Sequence, residues 1–344
     1  MFKLGSLEVN GGERADAWIP IAKKPDGSDY SFPLIVVNGV EKGPVLFATS
    51  GSHPDELEGV AAIMDVANSL DPRNLRGTFI GLPVANIAGY LHHISVDVSG
   101  TRENPDDCKN LSRTFPGKRD GTVSEQLAYT ISEKLVPLAD VVVDMHAGGQ
   151  RGTSIQMAGF IASDDREYLM KTLELAELFP METIWRSSPW GKLALVAQEK
   201  KVPFVPTEVT GQGRCEDRDV GPLVIGIGNI MKHLGMLEGK PQGIPRERKY
   251  IDTETYLYAK VGGLLRPKVN TGDLAKEGQT IGLLYDVHGR ITEEMKAPFD
   301  CIVTGIRTKG LAWVGEPTFL VSQFIPDPRK GLVDTGAAKA PAPP

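Results

Sequence analysis

The sequence predicts an α/β protein: one mixed sheet with helices on both faces, followed by a small C-terminal β domain. Short apolar runs rich in β-branched residues alternate with helix-length amphipathic patterns up to about residue 246. The helical pattern then stops, and short alternating segments punctuated by glycine continue to residue 323. The length of 344 residues also exceeds the ~250–300 at which single cores stop growing. We therefore expect residues 1–246 as the α/β domain, 247–326 as the β domain and 327–344 as a disordered tail.

Residues 34–37 (LIVV), 45–49 (VLFAT), 78–83 (TFIGLP) and 141–144 (VVVD) have the continuous apolar character of strands covered on both faces. Helices are expected over residues 56–70, 124–136 and 165–178, where apolar residues recur at three- and four-residue spacing. Beyond residue 246, YLYAKVGG, TIGLLYDV, CIVTGI and TFLVSQ are short strands. The stretch from PKVNTGDL to CIVTG resembles the biotinyl and lipoyl carrier type of β-sandwich. A carrier needs its lysine on the exposed hairpin turn, however, and the expected turn at 286–290 (DVHGR) has none, while Lys296 falls in the next strand. The domain is therefore read as a structural or pocket-covering unit. The final TGAAKAPAPP has too little apolar surface to offset ordering entropy.

With 38 basic and 44 acidic residues the formal net charge is −6, and there is no basic run, which argues against nucleic acid. Cys108, Cys215 and Cys301 are odd in number and lack metal or redox spacing, so they are expected to be free packing thiols in a reducing compartment. The opening MFKLGSLEVNGGERAD is unlike a secretory signal, and no apolar run approaches the ~20 residues that span a bilayer. A cytoplasmic protein with a small soluble partner and no membrane is expected, with homo-oligomerisation left open.

The chemistry begins at TSGSHPDELEGV. Pro54 suits a first helical turn, so a helix is expected to start near His53, placing His53 and Glu56 on one face above the end of the VLFAT strand. Taken alone, HxxE is more often a cap in which the glutamate reaches back. A second apolar strand, in VVVDMHAGG, ends in Asp144 and His146 followed by small residues. Ligand sites in open α/β sheets lie at the carboxyl ends of strands. Two histidines and a carboxylate with a fourth position open form a ligand set for catalytic zinc. Asp144, two residues before His146 and potentially on the same side, would either orient that imidazole or satisfy local backbone donors.

Hydrolysis with such a metal needs a base, and Glu208, after the apolar run in VPFVPTEVTG, is the candidate. A lone glutamate there is more often solvated. Developing oxyanion charge needs a cation or donors, and residues 100–117 (GTRENPDDCKNLSRTFPG) offer Arg102 and Arg113, each of which taken singly is a surface ion-pair residue. His92 and His93, adjacent and so facing opposite ways, are read as loop or surface residues, like His233 and His288.

In order, HPDE, NLSRTFPG, DMH and TEVTG resemble the succinylglutamate desuccinylase and aspartoacylase family, a branch of the zinc carboxypeptidase fold, over residues 34–323. ADVVVDMHAGG looks most like the branch containing N-acetyl-diaminobutyrate deacetylase. The resemblance implies one zinc ion held by His53, Glu56 and His146. It also implies Glu208 as general base and acid, Arg102 polarising the scissile carbonyl, and Arg113 on a substrate carboxylate, with Asn110 and Ser112 beside it. Ser112 departs from the family pattern, which has asparagine before the arginine. The expected function is a zinc-dependent amidohydrolase that removes a short acyl group from an N-acyl amino acid or related small carboxylate. The alternatives are a zinc carboxypeptidase acting on short peptides and a non-catalytic metabolite-binding relative.

Overall fold

The computed structural model describes residues 1–92, 102–189 and 192–330. His93 and the expected tail beyond residue 330 lie outside the described residues. Strands β1 (Glu13–Lys23), β2 (Asp29–Asn38), β3 (Glu41–Thr49), β4 (Arg76–Leu82), β5 (Val141–Ala147), β6 (Met157–Ile161), β7 (Thr183–Ser187), β8 (Phe204–Val209) and β9 (Lys249–Ile251) build one sheet. Their spatial order is β9-β7-β6-β8-β5-β3-β4-β2-β1. The centre, β4-β3-β5-β8, is parallel, whereas β1, β2 and β6 introduce antiparallel pairings. The expected mixed sheet is therefore present; three of the four apolar runs fall within its strands, and the run 78–83 extends one residue past β4.

Alternation along β5 shows how the sheet is covered. Val141, Val143, Met145 and Ala147 enter a core with residues of α1 (Glu58–Ser69), α4 (Arg166–Ala176) and α6 (Asp217–His233). Val142 enters the opposite core, with residues of α2 (Ile87–His92), α3 (Val123–Thr130) and α5 (Lys192–Glu199). Asp144 and His146 share the parity of Val142 and so leave the sheet on that second face. Each residue is committed to its side because a one-residue slip would exchange buried valines for an aspartate and a histidine.

The helices differ from expectation at instructive places. The first begins at Glu58, not near His53. His53 to Glu56 form a preceding turn, closed by the Glu56 N–H donating to the His53 carbonyl at 3.2 Å. The segment expected as a helix over residues 124–136 is α-helical only to Thr130, then passes through a π turn over Ile131–Leu135 and a short tight turn with Pro137 near its start. Asp165 caps α4 by accepting from the N–H groups of Glu167 and Tyr168.

The long helix α6 was not expected, because Gly221, Pro222, Gly226 and Gly228 blur its pattern. Packing explains one of these glycines. A Cβ on Gly226 would meet Phe179 Cδ1 at 2.0 Å, and Phe179 is fully buried. Gly228 has open space around its Cβ position. Gly226→Ala is therefore expected to destabilise by about 2 kcal/mol or more, while Gly228→Ala stabilises by up to about 1 kcal/mol. Denaturant melts of the two variants check the opposite signs.

Beyond β9 lie two small sheets. One holds Thr255–Tyr258, Pro317–Ser322 and Cys301–Arg307, and also the strand Gly152–Ser154 from between β5 and β6. The other holds Gly263–Pro267, Thr280–Tyr285, Ile291–Lys296 and Leu311–Ala312. Ala259, Leu265, Ile281, Leu284, Val303 and Phe319 are part of a core of their own. Lys296 ends a strand, away from the turn in which Asp286 N–H donates to the Arg290 carbonyl. Of the cysteines only Cys301 is buried, and Cys108 and Cys215 are exposed. Packing thus accounts for one of the three, since the other two lie in connecting segments outside the strands and helices. Among the described residues no helix is long and apolar enough to cross a membrane.

Candidate active site

Three neighbouring parallel strands end side by side, and the candidate residues gather there. In register, Thr49 of β3 is opposite Asp144 of β5, and His146 of β5 is opposite Glu208 of β8. Register partners project to the same face, so the sheet itself sets Glu208 beside His146. His53 and Glu56 arrive from the turn after β3. Asp55 ties that turn to the segment after β5, its Oδ2 accepting from the Gln150 N–H at 2.8 Å. The close approach needs glycine: a Cβ on Gly149, at φ +59°, would lie 2.5 Å from that oxygen.

The side chains of His53, Glu56 and His146 converge, each offering a ligand atom within 4.8 Å of the others. Glu56 is the hub. Its Oε1 lies 2.8 Å from His53 Nδ1 and its Oε2 2.8 Å from His146 Nδ1. The Ala147 N–H also donates to Oε2, at 3.3 Å. On the far side of each ring a further group fixes its plane. Asp144 Oδ2 is 3.2 Å from His146 Nε2, and the Ser112 hydroxyl is 3.1 Å from His53 Nε2. Both Nδ1 atoms are thereby turned toward a common point, the arrangement in which outer hydrogen bonds orient ligand imidazoles.

The electrostatics follow from this packing. Burial opposes the charge on Glu56, but the two imidazoles outweigh it and hold its carboxyl well below the ordinary range. Burial lowers His53. For His146 burial acts in the same sense, but Asp144 and Glu56 together raise it well above its usual value. Glu208 behaves oppositely to Glu56: burial, then repulsion from Glu56 and Glu254, pushes it up to about 8, against the pull of His146 and Arg102.

Arg102 Nη2 stands 3.5 Å from Glu56 Oε1. Burial works against its charge, but Glu56, Tyr256, Glu208 and Asp55 outweigh it and keep the guanidinium firmly protonated. Arg113 is exposed, at the end of the short turn Leu111–Arg113. That turn is capped by Asn110, whose Oδ1 accepts from the Ser112 N–H at 3.0 Å. Elsewhere, His92 and His288 are exposed, and exposed His233 lies 3.6 Å from Glu174.

Two residues around the site were not singled out from sequence, Glu254 and Tyr256. Both act electrostatically on neighbours here, Glu254 on Glu208 and Tyr256 on Arg102. Their segment, TETYLY, carries only strand periodicity. The one available signal was an acidic residue immediately before the strand Thr255–Tyr258, which carries two tyrosines and a leucine.

A mixed α/β sheet with a His-Glu-His set and a flanking glutamate at its strand ends defines a class, a protein with a candidate metal centre built for hydrolytic chemistry. The particular family follows from comparison. Residues 42–234 match the succinylglutamate desuccinylase/aspartoacylase catalytic domain, and the chain belongs to that family. It is 29% identical over 330 residues to the N-alpha-acetyl-L-2,4-diaminobutyric acid deacetylase of Halomonas elongata, covering 93% of this chain and 94% of that protein. The crystal structure of a succinylglutamate desuccinylase/aspartoacylase from Rhodobacter sphaeroides superimposes with a TM-score of 0.82 at 27% identity, covering 93% of this chain and 99% of that one. The product-bound ectoine utilization protein EutE (DoeB) of Ruegeria pomeroyi shares the fold, with a TM-score of 0.83 at 23% identity over 92% and 96% of the two chains.

Proposed function

We propose that this protein is a zinc-dependent amidohydrolase that removes a short acyl group from an N-acyl amino acid or a related small carboxylate. The observation that carries the reading is the convergence of His53, Glu56 and His146 with Glu208 in register beside them. The donor set fits a divalent cation. A carboxylate 2% exposed between two imidazole Nδ1 atoms is the set of three protein ligands found in catalytic zinc sites, with a position left for water. When bound, such an ion supplies Lewis acidity toward a carbonyl oxygen and makes water a usable nucleophile near neutral pH.

The chain's own residues supply the rest. Glu208 takes a proton from water and returns it to the departing amine, a task suited to a carboxyl whose pKa lies near neutrality. Arg102 directs N–H donors toward the oxygen on which negative charge develops. Arg113 takes a substrate carboxylate, the geometry for which guanidinium is suited. Asn110 keeps its amide N–H groups for the same purpose, whereas the Ser112 hydroxyl is engaged with His53. Family membership and the relative named as a deacetylase support the acyl amino acid class. Residues 1–246 and 247–326 are read as two domains, supported by the separate C-terminal core, with the strand Lys249–Ile251 joining the sheet of the first.

The test is metal analysis coupled to turnover. Purified protein is expected to hold about one zinc ion per chain and to lose hydrolysis of N-acetyl or N-succinyl amino acids to a strong chelator. Undiminished turnover after the metal is stripped overturns the mechanism.

A further inference from the structure

The small sheet built from Gly263–Pro267, Thr280–Tyr285, Ile291–Lys296 and Leu311–Ala312 turns an apolar face to solvent. Leu264 is the register partner of Tyr285 on one side and of Leu311 on the other. A register shift at the end of Thr280–Tyr285 then sets Ile291 opposite Tyr285. Register partners share a face, so these side chains form a row across the whole sheet. Leu265, Leu284 and Ala312 point the other way, into the domain's own core. An antiparallel sheet with one wet face normally places polar residues on it, whereas this one is apolar on both sides.

The row continues at both ends. Trp313 lies two residues beyond Leu311 and beside Gly262, where a Cβ would stand 4.0 Å from the Trp313 Cα and 3.9 Å from the Val314 N. Val287 sits in the turn between Tyr285 and Ile291. Exposure is 97% at Val287, 77% at Trp313, 69% at Leu311, 65% at Val314, 53% at Ile291 and 47% at Leu264. Together these side chains leave roughly 700 Å² open, whereas the largest apolar patch of a typical monomer is about 300–600 Å². One side of a stable interface takes about 800 Å², so the patch has the size of an interface.

Charge and edge geometry identify the partner. In the next row Arg266 and Glu294 are the two register partners of Leu283 and stand on either side of it. The Arg266 guanidinium lies 5.6 Å from the Tyr285 ring centroid and has no carboxylate partner among the described residues. A patch with a cation at one flank and a carboxylate at the other complements itself when turned about a two-fold axis, as an isologous contact requires. A membrane surface favours basic residues alone on such a rim. Strand addition is disfavoured, because the edge backbone is already used. The Leu311 carbonyl accepts from Arg307 Nε at 2.8 Å, and the Trp313 N–H donates to Glu316 Oε2 at 2.8 Å.

We propose that this face is a homodimer interface, on which a second copy of the chain packs against Trp313, Leu311 and Leu264, with Arg266 of each copy opposite Glu294 of the other. None of these residues belongs to the candidate active site. The association is therefore separable from hydrolysis.

Sedimentation equilibrium of the intact chain tests it. Wild type is expected to be a dimer at micromolar concentration, and Trp313→Asp to raise the dimer dissociation constant about 100-fold or more, the effect of removing a central aromatic anchor. Leu311→Lys serves as a second variant should the first not fold. Arg266→Glu and Glu294→Arg are each expected to weaken the dimer about 10-fold or more, since like charges then meet at both contacts. An equimolar mixture of these two variants should regain the wild-type affinity, because opposite charges meet again in the mixed pair. Only a partner carrying the same surface gives that rescue. A monomeric wild type overturns the proposal, including one that binds lipid vesicles or a different protein instead. So does a dimer unchanged in a folded Trp313→Asp or Leu311→Lys, or a mixture that associates no more tightly than its components.

Discussion

Glu208→Gln is expected to lower kcat about a thousandfold while leaving metal content unchanged. The substitution keeps size and hydrogen-bonding capacity but cannot accept and return a proton. Glu208 meets the requirement for a base that also serves as an acid through its surroundings. Burial raises its pKa first, and the carboxylates of Glu56 and Glu254 raise it further, to about 8. The same shift carries a stability signature in metal-free protein. A carboxyl raised from 4.5 to about 8 on folding stabilises the fold fully below the lower value, and that stability is lost as pH rises through the upper one. Chelator-treated wild type should therefore lose melting temperature over that window more steeply than Glu208→Gln. Retained turnover in the variant, with metal in place, removes Glu208 from the proposed role.

The parts of this arrangement that sequence could disclose are those tied to local periodicity. Residues 141–144 were legible as a strand because β5 is covered on both faces and is apolar until Asp144. From that strand the position of His146 at its carboxyl end followed. The HPDE segment was legible as a site but not as a shape. Proline suggested a helical first turn, whereas the chain uses a tight turn and delays α1 to Glu58, which brings Glu56 between the two imidazoles instead of along a helix face. The hydrogen bond between Ser112 and His53 spans 59 residues, and no spacing rule reaches that far. Glu254 lies 46 residues beyond Glu208, again past the reach of local periodicity. It acts on Glu208 from another sheet's edge: Thr304, its hydrogen-bond partner, belongs to Cys301–Arg307, which pairs with Gly152–Ser154. That exchange of a three-residue strand between sheets has no periodic signature. Helix α6 was hidden for the opposite reason, since its glycines and Pro222 blur the helical pattern, and one of them, Gly226, answers to packing against Phe179 rather than to helix propensity.

Glu56→Gln should produce the largest loss of metal affinity of any conservative change in the chain. The proposed site asks Glu56 to be a ligand and a charge at once. An amide of the same shape keeps one oxygen but loses the negative charge, and its NH2 group, a donor, faces an imidazole Nδ1 2.8 Å away and competes for the lone pair that a metal would take. Asp144→Asn is the matched control. It alters the group behind His146 and leaves all three donors in place. Partners one layer out from a metal are worth about 10- to 100-fold in affinity, so the Asp144 variant is expected in that range and the Glu56 variant beyond it. Competition against a chromogenic chelator measures both. Arg102 gives an independent reading, because its guanidinium lies 3.5 Å from Glu56 Oε1 and would then face the two imidazoles without the carboxylate between them. Zinc binding by Glu56→Gln as tight as wild type, or weaker binding by the Asp144 variant than by the Glu56 variant, would contradict a centre organised around this buried carboxylate.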